Sequence, residues 1–154
     1  MRTITFVTLL FLVSIFPLSA KAQNPVPPEI PKAVTEEEVN QFFHEYTARY
    51  MGMDFDGFMN LFSQEAVENR MRPYADIVDG YRRTFANSSS IVYNLEIYSI
   101  KTYEKGASVR GRYELIQSFK GSKKKGIFEG DIQWELIREN GSLKIKEINY
   151  GRDR

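Results

Sequence analysis

Two periods divide the chain near residue 90. Before it, apolar side chains recur every three or four positions; after it they alternate with polar ones. Thr35-Glu36-Glu37-Glu38 reads as a capping box. The Thr35 hydroxyl can accept from the Glu38 amide, and three acids sit at the positive helix end. Val39, Phe42, Phe43, Tyr46 and Tyr50 follow at helical spacing, and Gly52 stops the helix. Asp54 caps a second short helix burying Phe55, Phe58, Leu61 and Phe62. Residues 66–70 suit a short strand. Pro73 opens a third helix with Tyr74, Ile77, Val78, Tyr81 and Phe85 on one side, ended by Asn87–Ser90.

Strands follow over 91–103, 107–119, 127–138 and 143–150. Lys105-Gly106 turns the first pair, a loop over Gly121–Gly126 the second, and Asn140-Gly141 the third. Val109, Gly111, Tyr113, Leu115, Gln117 and Phe119 share one face, as do Phe128, Gly130, Ile132, Trp134 and Leu136. Their opposite faces carry charge. Helices first and an antiparallel meander after predict an α+β fold. Three N-terminal helices pack in the concave face of a strongly bent antiparallel sheet, as a cone-shaped roll.

Residues 1–22 read as an address. Arg2 precedes an apolar run over Ile4–Phe16, and Ala20-Lys21-Ala22 is a small-x-small box, so cleavage is expected after Ala22. The run is too short to span a bilayer, and the mature chain has no transmembrane segment. Residues 23–34 hold four of the six prolines and read as an extended spacer, with the domain over 35–154. These signals predict a periplasmic or secreted protein.

Composition removes several chemistries. The chain has 154 residues, no cysteine and one histidine, with 21 basic against 20 acidic residues. Thiol nucleophiles, disulfides, zinc clusters and multi-His metal sites are excluded, so no metal or cofactor is expected. Near-neutral charge argues against a nucleic-acid partner. His44 falls off the apolar stripe of its helix, toward solvent. Lys120, Lys123, Lys124 and Lys125 make a basic hairpin tip, a solvated edge that discourages strand pairing or a contact for anionic wall polymer.

A pocket follows from register. If Asn140-Gly141 is a two-residue turn, Leu136 faces Ile145, Trp134 faces Glu147 and Ile132 faces Asn149. The inner face then turns polar at one end, where Gln117, Glu147 and Asn149 lie beside Tyr113 and Trp134, with Tyr46 and Tyr50 as cover. These seven residues are the candidate ligand pocket, and Glu147 is the candidate catalytic base. The same aromatics also suit a plain core. The opposite phase of the last strand, Ile148 and Tyr150, is apolar too, and a bulge would exchange its faces.

Three stretches carry a resemblance: Asp54–Phe62 (DFDGFMNLF), Ser63–Asn69 (SQEAVEN) and Trp134–Ile145 (WELIRENGSLKI). With the helix and strand order, they make Thr35–Tyr150 similar to the nuclear-transport-factor-2-like (SnoaL-like, ketosteroid-isomerase-like) superfamily. Exported bacterial members look closest, including the domain appended to some cell-wall L,D-transpeptidases. The resemblance implies the cone-shaped roll, and a fold that hosts isomerases, dehydratases, ligand binders and non-catalytic modules. It implies that any acid–base catalysis uses a carboxylate or an Asp–His pair inside the cone, often with a tyrosine donor, here Tyr46 or Tyr113. The isomerase-type aspartate falls near Asn69 here, and an amide cannot take a proton. It also implies a homodimer through the sheet, whose outer face carries Arg110, Arg112, Glu114, Glu129, Asp131, Glu135, Lys144 and Lys146, with Glu135 opposite Lys146. Gln117–Gly121 also resembles the Q-x-V-x-G loop of cystatin-type inhibitors, with Phe119 in place of valine.

The expected function is an exported, non-catalytic module of the cell envelope that binds a small apolar or envelope-derived ligand or another protein. The alternatives are a small isomerase or dehydratase using Glu147, and a cell-wall accessory domain.

Overall fold

A computed structural model describes residues 33–151. The leader and all but the last two residues of the spacer lie outside the described residues. Val34, at the spacer's end, is already buried, and its N–H donates to Tyr103 O at 3.2 Å.

Helix α1 runs Glu36–Met51 from the expected capping box: Glu38 N–H donates to Thr35 Oγ1, and Thr35 N–H donates back to Glu38. Its buried stripe is Val39, Phe42, Phe43, Tyr46 and Tyr50. Helix α2 is shorter than its apolar run suggests. It covers only Phe55–Met59, and Phe62 begins a strand instead. Short apolar runs do not distinguish a helix end from a strand start. Strands β1 (Phe62–Glu68) and β2 (Arg72–Pro73) form a small hairpin, and α3 follows over Tyr74–Asn87. Strands β3 (Ser88–Thr102), β4 (Gly106–Phe119), β5 (Lys125–Glu139) and β6 (Ser142–Tyr150) complete the chain.

The sheet has six strands in the order β2-β1-β6-β5-β4-β3, with the helices against its inner face. The fold is thus α+β, with helices on a curved, unclosed sheet. One pair departs from the antiparallel meander: β1 runs parallel to β6, so Glu68 lies beside Ile148. Asn140 and Gly141 both have positive φ, at 50° and 82°, which a two-residue hairpin turn demands and which glycine adopts without penalty.

The turn holds, but the register beyond it does not. Leu136 faces Ile145 as expected, and then a bulge between Glu135 and Leu136 shifts β6 by one residue. Trp134 faces Ile148, Ile132 faces Tyr150, and Glu135 faces Glu147. Because side chains alternate, the extra residue moves Glu147 and Asn149 to the outer face and brings Ile148 and Tyr150 inside. The expected Glu135–Lys146 pairing is likewise lost, and Glu135 instead accepts bonds from Ser108 and Gln133.

Candidate functional site

The hollow between helices and sheet has two unlike ends. At one, Trp134 is fully buried, with its ring centroid 4.6 Å from Phe43 and 5.9 Å from Tyr46. Arg138 Nη2 donates to both Glu38 oxygens at 3.1 Å, joining the start of α1 to the end of β5. Thr35 N–H, then Arg138, hold the Glu38 carboxyl below its ordinary range. At the other end lies a cavity of about 820 Å³. Tyr46 and Tyr50 of α1, Tyr81 of α3, Tyr93 of β3, Tyr113 of β4 and Tyr150 of β6 line it.

These six tyrosines are one connected cluster. Tyr50 packs on Tyr81 at 5.9 Å and on Tyr93 at 5.2 Å, and Tyr93 stacks on Tyr113 at 6.2 Å. Burial raises the phenol pKa of Tyr46, Tyr50, Tyr81, Tyr93 and Tyr150 above the ordinary value of 10.0. The phenols are therefore neutral hydrogen-bond donors at physiological pH. Tyr113 donates to Gly151 O at 2.9 Å. Tyr93 is 5% exposed, and its hydroxyl has no partner; the Trp134 indole N–H has none either. Both lie beside the Tyr46 hydroxyl and favour its anion without reaching hydrogen-bonding geometry, and burial outweighs them.

Among the described residues, the one carboxylate lining this cavity is Glu68, 2% exposed at the end of β1. The Tyr150 hydroxyl donates to Glu68 Oε1, and Arg72 Nη1 donates to Oε2. Arg72 Nη2 also donates to Asp76 O at 2.9 Å. Arg72 crosses α3 closely at Gly80, where an added Cβ would lie 2.9 Å from Nη2. The bulge in β6 is what turns Tyr150 inward to meet Glu68. Asn69 plays a different part. Its Oδ1 accepts from Tyr150 N–H at 2.9 Å, and its own N–H donates to Ile148 O. It fixes the backbone beside Glu68, with φ at 49°.

Of the seven residues expected at the pocket, Tyr46, Tyr50, Tyr113 and Gln117 line the cavity. Gln117 is buried and donates through Nε2 to Ser88 Oγ at 2.8 Å, and Ser88 in turn donates to Thr84 O at 2.6 Å. That tie joins β4 to the end of α3 and leaves no exposed inhibitor-like loop at this glutamine. Trp134 lies inside but packs between α1 and the sheet rather than on the cavity. Glu147 and Asn149 are corrected to the outer face, where Asn149 Nδ2 donates to Glu147 Oε1 at 2.7 Å. Glu147 cannot serve a site inside the cone. Sequence reasoning missed Glu68, Arg72, Tyr81 and Tyr93 as site residues, and Tyr150 enters through the bulge that the sequence left open as an alternative. His44 is exposed on α1. Among the described residues, no three His, Asp or Glu side chains converge to hold a metal ion, and no helix is long and apolar enough to cross a membrane.

No protein-family model matches the chain, and no curated protein matches its sequence. Solved structures do. A proposed aromatic ring hydroxylase from Novosphingobium aromaticivorans superposes with a TM-score of 0.67 at 18% identity, covering 77% of this chain and 88% of that one. Aln2 from a Streptomyces species gives 0.64 at 18% identity, over 79% and 95%. ActVI-ORFA from Streptomyces coelicolor gives 0.60 at 14%, over 77% and 94%. At such identities the likeness speaks for architecture and not for activity. What these proteins share with the chain is the nuclear-transport-factor-2-like (SnoaL-like) fold, helices on a curved, unclosed sheet.

Proposed function

We propose that the protein binds a small, flat, largely apolar molecule in the tyrosine-lined cavity, as an exported, non-catalytic module of the cell envelope. The observation that carries this is the cavity itself: about 820 Å³, a drug-sized volume walled by aromatic rings with a few convergent polar groups. Rings offer stacking faces, and their neutral hydroxyls offer donors to a carbonyl or hydroxyl oxygen on the ligand. The reading favours binding over turnover because both Glu68 oxygens already accept bonds, from Arg72 and Tyr150, and the single histidine lies on the outside.

The test is saturable binding of a neutral aromatic dye, phenylnaphthylamine, to the purified chain. One site per chain is expected, lost in Leu115→Trp, which fills the cavity with an indole. No saturable binding, or binding unchanged in that variant, overturns the reading. Export rests on the leader alone, and an intact mass starting at Gln23 in an envelope fraction checks it.

A second reading has its own observation. The buried Glu68 beside the Tyr150 phenol is the pairing that acid–base chemistry in a dehydratase or isomerase would use, should a substrate displace Arg72. A turnover that survives Glu68→Gln would end that reading. A homodimer through the outer sheet face has support too. Val92, Ile116 and Ile127 stand side by side across β3, β4 and β5, with Ile127 65% exposed. Sedimentation of Ile127→Lys as a monomer beside a dimeric parent is the expected result; two monomers remove the proposal.

A further inference from the structure

Around the cavity the charges are unequal, and the inequality names a ligand class. This step rests on the cavity-binding reading above. Among the described residues, three cations line the cavity, Arg72, Arg83 and Lys120, against the single carboxylate Glu68. Glu68 is spent on Arg72. Arg83, on α3, and Lys120, just past the end of β4, are exposed and have no carboxylate partner among the described residues. Lys120 N–H donates to Asn87 O at 2.9 Å and so fastens the end of β4 to the end of α3, about one helical turn from Arg83. The chain as a whole is close to neutral, so this surplus belongs to the opening and not to the surface at large.

We infer that the cavity takes an amphipathic organic acid: a ring-bearing body among the tyrosines and an anionic head between Arg83 and Lys120. The head supplies charge where two cations lack it. The ring replaces water on the tyrosine faces.

Two dyes of nearly the same body separate this inference from the reading beneath it. Anilinonaphthalene sulfonate carries the anionic head; phenylnaphthylamine does not. The sulfonate is expected to bind the intact chain on the order of tenfold tighter at low salt, with the preference shrinking as salt rises. The double reversal Arg83→Glu with Lys120→Glu should abolish the preference. The reversal Arg110→Glu with Lys146→Glu, on the outer sheet face, should leave it intact. Equal affinity for the two dyes, or a preference that survives the first reversal, overturns the anion inference while the cavity reading stands. Failure of the neutral dye to bind at all overturns both.

Discussion

The two ends of the hollow are built from the same kind of side chain and behave differently. At the closed end Phe42, Phe43 and Trp134 pack against Leu136 and Ile145, and the Thr35–Glu38–Arg138 contacts latch α1 onto β5. At the open end six tyrosines face a cavity. The difference is one oxygen per ring. A phenylalanine loses nothing by being covered completely, whereas a buried phenol needs a partner. A wall of tyrosines therefore does not collapse into a solid core at no cost, and it keeps a space that a polar-edged ligand can fill. The comparison teaches where stability sits and where binding sits: the closed end holds the roll together, and the open end is available for recognition.

The strongest way to break that comparison is alkali. Five of the lining phenols have raised pKa values because burial disfavours the anion. Above the ordinary value near 10.0, the unfolded chain releases these protons and the folded chain keeps them. The folded state then binds more protons, so stability falls as pH rises past that point. At neutral pH the same groups are protonated in both states and contribute no slope. Phenolate absorbance should show these five ionising together, in step with loss of near-ultraviolet circular dichroism. Gradual ionisation of all nine tyrosines in a chain that stays folded would mean that the open end is wet rather than buried.

The next largest effect should come from the closed end. Trp134→Ala removes a fully buried ring and should lower unfolding free energy by about 3–5 kcal/mol. Against a typical total of about 5–15 kcal/mol, that is a large fraction. Urea unfolding measures it. A loss under about 1 kcal/mol would show that the tryptophan is not where the roll is held.

How far these ends could be read in advance differs in the same way. The bounds of the four long strands were legible to within about three residues, because alternation needs only local sequence, whereas β1 began four residues before its expected start and β2 was not foreseen. The closed end was legible too: the capping box, the aromatic stripe of α1 and the inward Trp134 all follow from spacing. The open end depended on one bulge. Apolar residues in the last strand fall at Leu143, Ile145, Ile148 and Tyr150. The step of three between Ile145 and Ile148 was the signal, and reading it would have turned Tyr150 in and Glu147 out. Glu68 left a fainter trace. A carboxylate in a short strand reads as surface, and its partners Arg72 and Tyr150 meet it only through the parallel β1–β6 pair, which no local pattern announces. Long-range pairings of that kind place the candidate site, and local propensity does not reach them.

The smallest effect is the most discriminating. Tyr93→Phe deletes a hydroxyl that is buried and without a hydrogen bond, while keeping the ring stacked on Tyr113 at 6.2 Å. An unpaired buried hydroxyl costs about 1–3 kcal/mol in desolvation, so its removal should leave the free chain as stable as before or up to about 1 kcal/mol more stable. The same change should leave the affinity for an acidic aromatic ligand unaltered, because the hydroxyl presents no surface to the cavity and the ring that does is kept. Unchanged binding with unchanged or raised stability would show that the ring, and not its oxygen, forms this part of the wall. Thermal unfolding without ligand and dye titration on the same sample give both numbers. If Tyr93→Phe lowers stability by more than about 1 kcal/mol, the hydroxyl is bonded within the fold, and the open end is core in the same sense as the closed one.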